Sequence, residues 1–315
     1  MRVPSSAAAV VALLALAGCA RAQSATATAA TPAPARADTA RLHFVLDSIA
    51  DAHHGVVGYT VHNIDTGERL ERRGDETFPT ASLIKVPILV TLYDLVEQGR
   101  ISLDDKITIL KIDQVPGSGL LQFMHNGAEI TVGDAAFLMS TVSDNTATNL
   151  ILDHIVIRRV WDKMEKLGLP HSKVHSKVFS RASSVAPDSS TKYGLGVTTP
   201  NEMAKLFALL ADGKAVSPKA DSAMLETLAH NEDLLLLQRY VTGVRAPHKT
   251  GSTDQVRTEC TLWYLQTRVV ACVLTKENAD RGWTVETEPQ KTMGRMGEAI
   301  VAAWPRATPK KTVSQ

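Results

Sequence analysis

The chain has 315 residues, 44% of them apolar, and 34 Lys and Arg against 33 Asp and Glu give a formal net charge of +1. That is enough apolar material for one large domain or two small ones. Charge this evenly balanced and dispersed excludes the basic stripe of a nucleic-acid binder and the acidic or polybasic arm of an interaction tail.

Residues 1–22 read as an export signal. Arg2 precedes the apolar run Ala7 to Ala17, which suits a signal-peptide core and is too short for a stable bilayer-spanning helix. The run ends in Leu16-Ala17-Gly18-Cys19, which resembles the lipobox of bacterial lipoproteins and makes Cys19 a candidate lipid anchor. Ala20-Arg21-Ala22 offers the alternative, ordinary cleavage at a small-x-small site. Both readings export the chain, to the periplasm or to a membrane-anchored state. No later stretch has the 18 consecutive apolar residues that a second crossing needs. Residues 23–38 are an Ala/Thr/Pro linker with little to bury, and 307–315 form a polar tail, which leaves 39–306 as the folded domain.

Within that domain, Leu42, Val45, Leu46 and Ile49 predict a helix over Thr39–His53. Val56–His62 and Glu68–Arg73 read as strands joined at Asp65-Thr66-Gly67. An apolar helix is expected over Ser82–Gln98, closed by Gly99. Further helices follow over Val132–Thr141, Thr146–His154, Val160–Leu167, Pro200–Ala211 and Lys219–Ala229. Strand character returns in Lys249–Ser252, Val256–Leu265 and Arg268–Lys276, and Lys291–Trp304 closes the chain as a helix. The expected class is α/β of the α+β type: an antiparallel sheet built from both chain ends, flanked by helices, with an inserted all-helical lobe.

Three short motifs carry chemistry. In Ser82-Leu83-Ile84-Lys85 the hydroxyl and amine share a helix face, so a Lys of lowered pKa can take the proton of an otherwise poor nucleophile. A bland alternative is a capping Ser followed by an exposed Lys. Ser143-Asp144-Asn145 supplies a second hydroxyl to relay a proton and an amide to hold Lys85 and substrate, or merely an N-cap. Lys249-Thr250-Gly251, leading into Ser252, suits a carboxylate-bearing substrate that pairs along a strand edge, although an edge Lys is also a common guard against aggregation.

Each motif alone is commonplace. Together and in this order they resemble the signature of class A β-lactamases and penicillin-binding proteins. The resemblance extends to Gly117-Ser118-Gly119 with Leu121-Gln122, to Thr131-Val132-Gly133-Asp134, to Thr146-Ala147-Thr148-Asn149 after the second motif, and to Val197-Thr198-Thr199-Pro200. It implies that Ser82 attacks the carbonyl, Lys85 serves as base or as part of the proton relay, and Ser143 protonates the leaving nitrogen. It further implies that Asn145 holds the substrate amide, that Lys249 and Thr250 bind its carboxylate, and that the N–H groups of Ser82 and Ser252 stabilise the oxyanion. Arg257 is a weaker candidate for the carboxylate, because one residue of strand register decides its face.

One departure bears on turnover. Class A enzymes carry a Glu in the loop before the Thr-Thr-Pro segment, with an Asn four residues on, to activate the deacylating water. Residues 171–188 contain no such Glu, and Asp188 is the one carboxylate between Lys166 and Pro200. Glu165 reads as helix surface, and His171 and His175 as surface histidines able to titrate near neutrality. The resemblance therefore implies an acyl-enzyme that forms readily and releases slowly unless another group, Asp188 being the candidate, replaces the missing base. Three functions fit: a β-lactamase-type hydrolase of β-lactams or related amides and esters, a penicillin-binding protein acting on cell-wall peptide, and a non-catalytic module on the same fold.

No His/Cys/Asp cluster has metal-ligand spacing, and no cofactor is expected; the partner is a small-molecule substrate. Cys260 and Cys272 lie on adjacent predicted strands, where a disulfide needs favourable register and an oxidising compartment. Trp161, Trp263, Trp283 and Trp304 fall on apolar positions and read as packing residues.

Overall fold

The fold opens at Asp38, whose carboxylate accepts from the Arg41 N–H at 3.0 Å and caps helix α1 (Thr39–Asp51). The computed structural model describes residues 36–306; the expected export signal with Cys19, most of the expected linker and residues 307–315 lie outside them. Leu42, Leu46 and Ala50 form one buried stripe along α1. Strands β1 (Val56–Asn63) and β2 (Arg69–Arg72) follow, then a two-residue strand β3 (Phe78–Pro79) and a 3₁₀ turn, Ala81–Ile84. Helix α2 begins at Lys85 and runs to Glu97. The expected single helix from Ser82 is thus corrected: the nucleophile candidate sits in a tighter turn, entered through Ala81 at φ 45°.

Helix α2 is buried nearly all round, from Lys85 to Leu92 and again at Leu95, as befits the central helix of a lobe rather than a surface helix. Around it pack α3 (Val132–Thr141), α4 (Asn145–Ile155), α5 (Ile157–Lys166) and α8 (Pro218–Ala229), while α7 (Pro200–Ala211) lies between α8 and the main sheet and a short α6 (Pro187–Tyr193) sits in the connecting loop. Small strand pairings that sequence periodicity did not predict brace the lobe. These are β4 (Lys106–Ile109) with β5 (Ala128–Thr131), and β7 (Gly196–Thr198) with β3 and β6 (Lys173–Val174). Two to four residues are too few to show a period.

The main sheet is antiparallel in the order β2-β1-β10-β9-β8, with β8 (His248–Thr253), β9 (Val256–Tyr264) and β10 (Arg268–Lys276) from the far end of the chain. The closing helix α9 spans Glu288–Ala303. Strand alternation divides the interior in two. Val270, Cys272 and Leu274 face the helical lobe, while Val269, Ala271 and Val273 face α1 and α9. Cys260 and Cys272 are bonded to each other across β9 and β10. They occupy a pair that exchanges no backbone hydrogen bonds, where opposing backbones come closest, and their Cα atoms are 4.1 Å apart. Trp263 and Trp304 are core residues as expected. Trp161 is half-buried, packed against the core beside the cations of Arg158 and Lys173, while Trp283 is 63% exposed, so the reading is corrected for Trp283 alone.

Candidate active site

The site lies where the 3₁₀ turn of Ser82, the N-terminus of α4 and the outer edge of β8 meet. Gly251 makes that approach possible. A Cβ there would stand 2.5 Å from the Thr80 carbonyl oxygen and 2.8 Å from the Leu83 nitrogen, so only glycine lets β8 pass this close to the nucleophile turn. The Thr258 hydroxyl, one strand over, donates to the Thr80 carbonyl at 2.8 Å and fastens the turn to the sheet.

β8 is an edge strand, and its register decides which groups face the cleft. Leu262 N–H bonds to the Pro247 carbonyl at 2.9 Å, so the odd-numbered residues of β8 hold the backbone bonds to β9. The N–H groups of Thr250 and Ser252 therefore point to the open edge. Lys249 and Gly251 share the side-chain face toward the lobe.

Two lysines are buried there. Lys85 is 1% and Lys249 0% exposed. Lys85 Nζ donates to the Ser143 carbonyl at 2.6 Å, to Ser143 Oγ at 3.0 Å and to Asn145 Oδ1 at 3.0 Å. Its three protons are thus committed across the cleft and none goes to Ser82, which is half-buried. Lys249 Nζ donates to the same Ser143 Oγ at 3.2 Å and to the Thr250 carbonyl at 2.8 Å. Burial, reinforced by the Lys249 charge and opposed by Asp144, holds Lys85 well below its ordinary pKa. Burial also pulls Lys249 down to about 8, against the opposing pull of Asp233 and Glu259.

Ser143 is held at φ 56°, a left-handed conformation that costs a non-glycine residue on the order of 1–3 kcal/mol. The neighbouring Asp144, to which the sequence reading assigned no task beyond a cap, anchors the whole wall. Its carboxylate accepts from Ala147 N–H at 2.8 Å at the start of α4, and from Leu120 and Leu121 N–H at 2.6 and 2.9 Å in the cleft-edge loop. Gly119 runs so close that a Cβ would lie 2.2 Å from Asp144 Cγ. A Ser/Asp/Asn run before a helix signals the cap; the tie to residues 120 and 121 has no local trace.

Arg257 is not brought into this network. It pairs with Ser252, on the face of the sheet away from Lys249, and its guanidinium donates to the carbonyls of Thr253, Val256 and Gly282, with the Trp283 ring 4.9 Å away. Glu259, which the sequence reading passed over, is fully buried opposite Thr250; it accepts from Leu237 N–H at 2.6 Å and Gln238 Nε2 at 3.1 Å, and burial raises its pKa to about 8.

The loop between α5 and β7 meets the cleft through apolar residues. Asn149 of α4 clamps Val178, donating to its carbonyl at 3.1 Å and accepting from its N–H at 2.7 Å. Phe179 follows at φ 55° and is 70% exposed, its ring 3.4 Å from where a side chain on Gly117 would begin. Asp188 lies exposed in the first turn of α6, and Glu165 pairs with Lys173 on the surface. His171 is exposed and bonded to Glu202. His175 is buried against the Gly194 carbonyl with a lowered pKa, which corrects its reading as a surface histidine.

Comparison with known proteins gives this geometry a family. A model of the beta-lactamase enzyme family matches residues 42–304. A beta-lactamase of Rhodobacter capsulatus is 26% identical over 182 residues, 55% of this chain, and the chain spans 58% of that relative's length. Among solved structures, a beta-lactamase from Sphaerobacter thermophilus superposes with a TM-score of 0.75 at 29% identity, covering 84% of this chain and 97% of that one. PBP-A superposes with a TM-score of 0.72 at 25% identity, covering 86% of this chain and all of that one, and a mutant of it was solved as an acyl-enzyme with penicillin G. Since the family model spans all of the main sheet and the helical lobe, the chain belongs to the beta-lactamase enzyme family.

Proposed function

We propose that this protein is a serine acyl-transfer hydrolase that opens β-lactams, or related amides and esters, through an acyl-enzyme on Ser82, and that it releases the acyl group slowly. The observation that carries the reading is the state of the Ser143 hydroxyl. A hydroxyl has two lone pairs and one proton. Lys85 and Lys249 donate to the oxygen from 3.0 and 3.2 Å, so its proton is left to be given outward, which is the task of an acid at a leaving nitrogen.

The step then balances. Ser82 Oγ bonds to the carbonyl carbon and its proton passes to the neutral amine of Lys85. The carbon–nitrogen bond breaks as Ser143 gives its proton to the departing nitrogen, and Lys85 returns a proton to Ser143 across their 3.0 Å bond. The N–H groups of Ser82 and Ser252 receive the oxyanion, Lys249 and Thr250 take the substrate carboxylate, and Asn145 takes its amide. Slow release is supported by the apolar meeting of loop and cleft at Val178 and Phe179. General-base assistance is worth roughly 10²- to 10⁴-fold, and the one carboxylate of that loop, Asp188, is exposed in the first turn of α6. The same features suit a penicillin-binding protein, and the lifetime of the adduct separates the two.

The disulfide Cys260–Cys272 fits the exported location read from residues 1–22. Lipidation at Cys19 predicts a membrane-associated product that becomes soluble in Cys19→Ala.

Intact-mass spectrometry after mixing with penicillin G tests the function directly. One added penicillin mass, absent in Ser82→Ala and lasting minutes or longer, is the expected result. Decay within seconds would make the protein an efficient β-lactamase and overturn slow release. No adduct with penicillin or with activated esters would sink the hydrolase reading itself.

A further inference from the structure

We propose that Ser118 is a positioning residue for acylation: its hydroxyl takes over the oxygens that Lys85 must abandon in order to serve Ser82. The inference rests on the reading of Lys85 as the base. In the resting site all three Lys85 protons are bound to Ser143 O, Ser143 Oγ and Asn145 Oδ1. An amine that accepts the Ser82 proton has only two protons of its own and must aim its lone pair at Ser82. At least one of the three acceptors then loses its donor, and a buried carbonyl without a partner is costly.

Ser118 lies where that cost can be met. Its Oγ donates to the Ser143 carbonyl at 2.7 Å and stands 3.4 Å from Asn145 Oδ1, so it reaches two of the three oxygens that Lys85 holds. Its backbone is fixed: Asn145 N–H donates to the Ser118 carbonyl at 3.0 Å, and Gln122 Nε2 donates to the flanking carbonyls of Gly117 and Gly119 at 2.7 and 3.0 Å. The side chain itself is exposed at the cleft rim, so the hydroxyl can turn from one oxygen to the other by rotation about a single bond. Ser118 touches neither Ser82 nor the reacting atoms, and it acts through Lys85.

A simple staple between the cleft-edge loop and α4 is the competing account, and pH tells them apart. The charged groups facing Lys85 are Lys249 on β8 and Asp144 at the cap of α4, and a change at 118 removes neither. Without the Ser118 hydroxyl, the Ser143 carbonyl is left to Lys85 alone, which favours the bound ammonium over the free amine. The acid limb of acylation then moves to higher pH.

The test is the acylation rate of the full chain with penicillin G, followed by quenched-flow intact mass from pH 5 to 9, in wild type, S118A, S118G and S118T. The expected result is an acid limb about one pH unit higher in S118A and S118G, a roughly ten-fold loss on that limb, with the rate converging on wild type above it. S118T, which keeps the hydroxyl, returns the limb toward wild type. A loss of the same factor at every pH, or no change, overturns the proposal. A wild-type acylation rate that Lys85→Ala keeps across this pH range instead removes Lys85 as the base, and the role of Ser118 falls with it.

Discussion

The two walls of the cleft are built differently. On one side, Ser82, Lys85, Ser143 and Lys249 stand on elements tied to one another by buried polar contacts: the Thr258–Thr80 bond, the three backbone N–H groups held by Asp144, and two lysines sharing one hydroxyl. On the other side, the loop carrying Val178 and Phe179 is pinned at Val178 by Asn149 and turns the exposed Phe179 ring toward Gly117. Both walls hold a left-handed non-glycine residue, Ser143 and Phe179, so both store strain. Rigidity alone therefore does not mark a catalytic wall. On the proposed function the difference lies in which atoms the rigidity aims at the substrate, and it would split one reaction into a half that the fold equips and a half that it leaves bare.

Removing chemistry from the equipped wall should have the largest effect. Lys85→Ala is expected to lower the acylation rate with penicillin G by roughly 10²- to 10⁴-fold, the range of general-base assistance. An acylation rate within a factor of about ten of wild type would assign the proton transfer elsewhere. Adding chemistry to the bare wall should come next. In Val178→Glu and Phe179→Glu, at least one introduced carboxylate is expected to shorten the adduct lifetime by about 10²-fold, read by loss of the added mass, with the acylation rate changed far less. If neither variant hastens release, slow deacylation has a cause other than the missing base.

The same contrast explains what was legible in the sequence. The main sheet and the lobe announced themselves through long periodic elements: α3, α7 and β10 have the expected ends to the residue. Ser82, Lys85, Ser143 and Lys249 announced themselves because this chemistry needs those residue types. What stayed hidden depends on contacts between distant segments. Asp144 reaching Leu120 and Leu121, Asn149 clamping Val178, and Lys85 turning from its near neighbour Ser82 toward Ser143 are set by packing of the lobe. Arg257 shows the limit most simply, since its face follows from a register that only strand pairing reveals.

Acidity offers a smaller and sharper probe of the equipped wall. On the proposed mechanism Lys85 works as the neutral amine, so the rate should rise as it loses its proton. On the same mechanism Lys249 is the ammonium that binds a carboxylate, and its pKa of about 8 means that this charge is lost as pH rises through that value. Acylation by penicillin G at subsaturating concentration should therefore fall above about pH 8, by up to ten-fold per pH unit. A neutral activated ester, which has no carboxylate to bind, should keep rising or level off. An identical alkaline limb for both substrates would remove Lys249 from carboxylate binding.

The smallest effect on chemistry is expected from the disulfide, although it lies in the strand that pairs with β8. Cys260 sits directly opposite Lys249 in the β8–β9 register and is bonded to Cys272 on β10, so the crosslink is one strand removed from the cleft. A loop of this size, with a sequence separation of 12, is worth on the order of 2–3 kcal/mol through the unfolded chain. The double variant Cys260→Ala/Cys272→Ala should lose about that much in urea unfolding, while its acylation rate with penicillin G stays within about two-fold of wild type. The wall is positioned by the ladder between β8 and β9, by Gly251 against the Thr80 carbonyl and by the Thr258 hydroxyl, and these survive without the bond. A ten-fold loss of acylation in the folded variant would mean instead that the crosslink sets the register of β8 against the nucleophile turn, and that the equipped wall owes its geometry to a covalent tie rather than to packing.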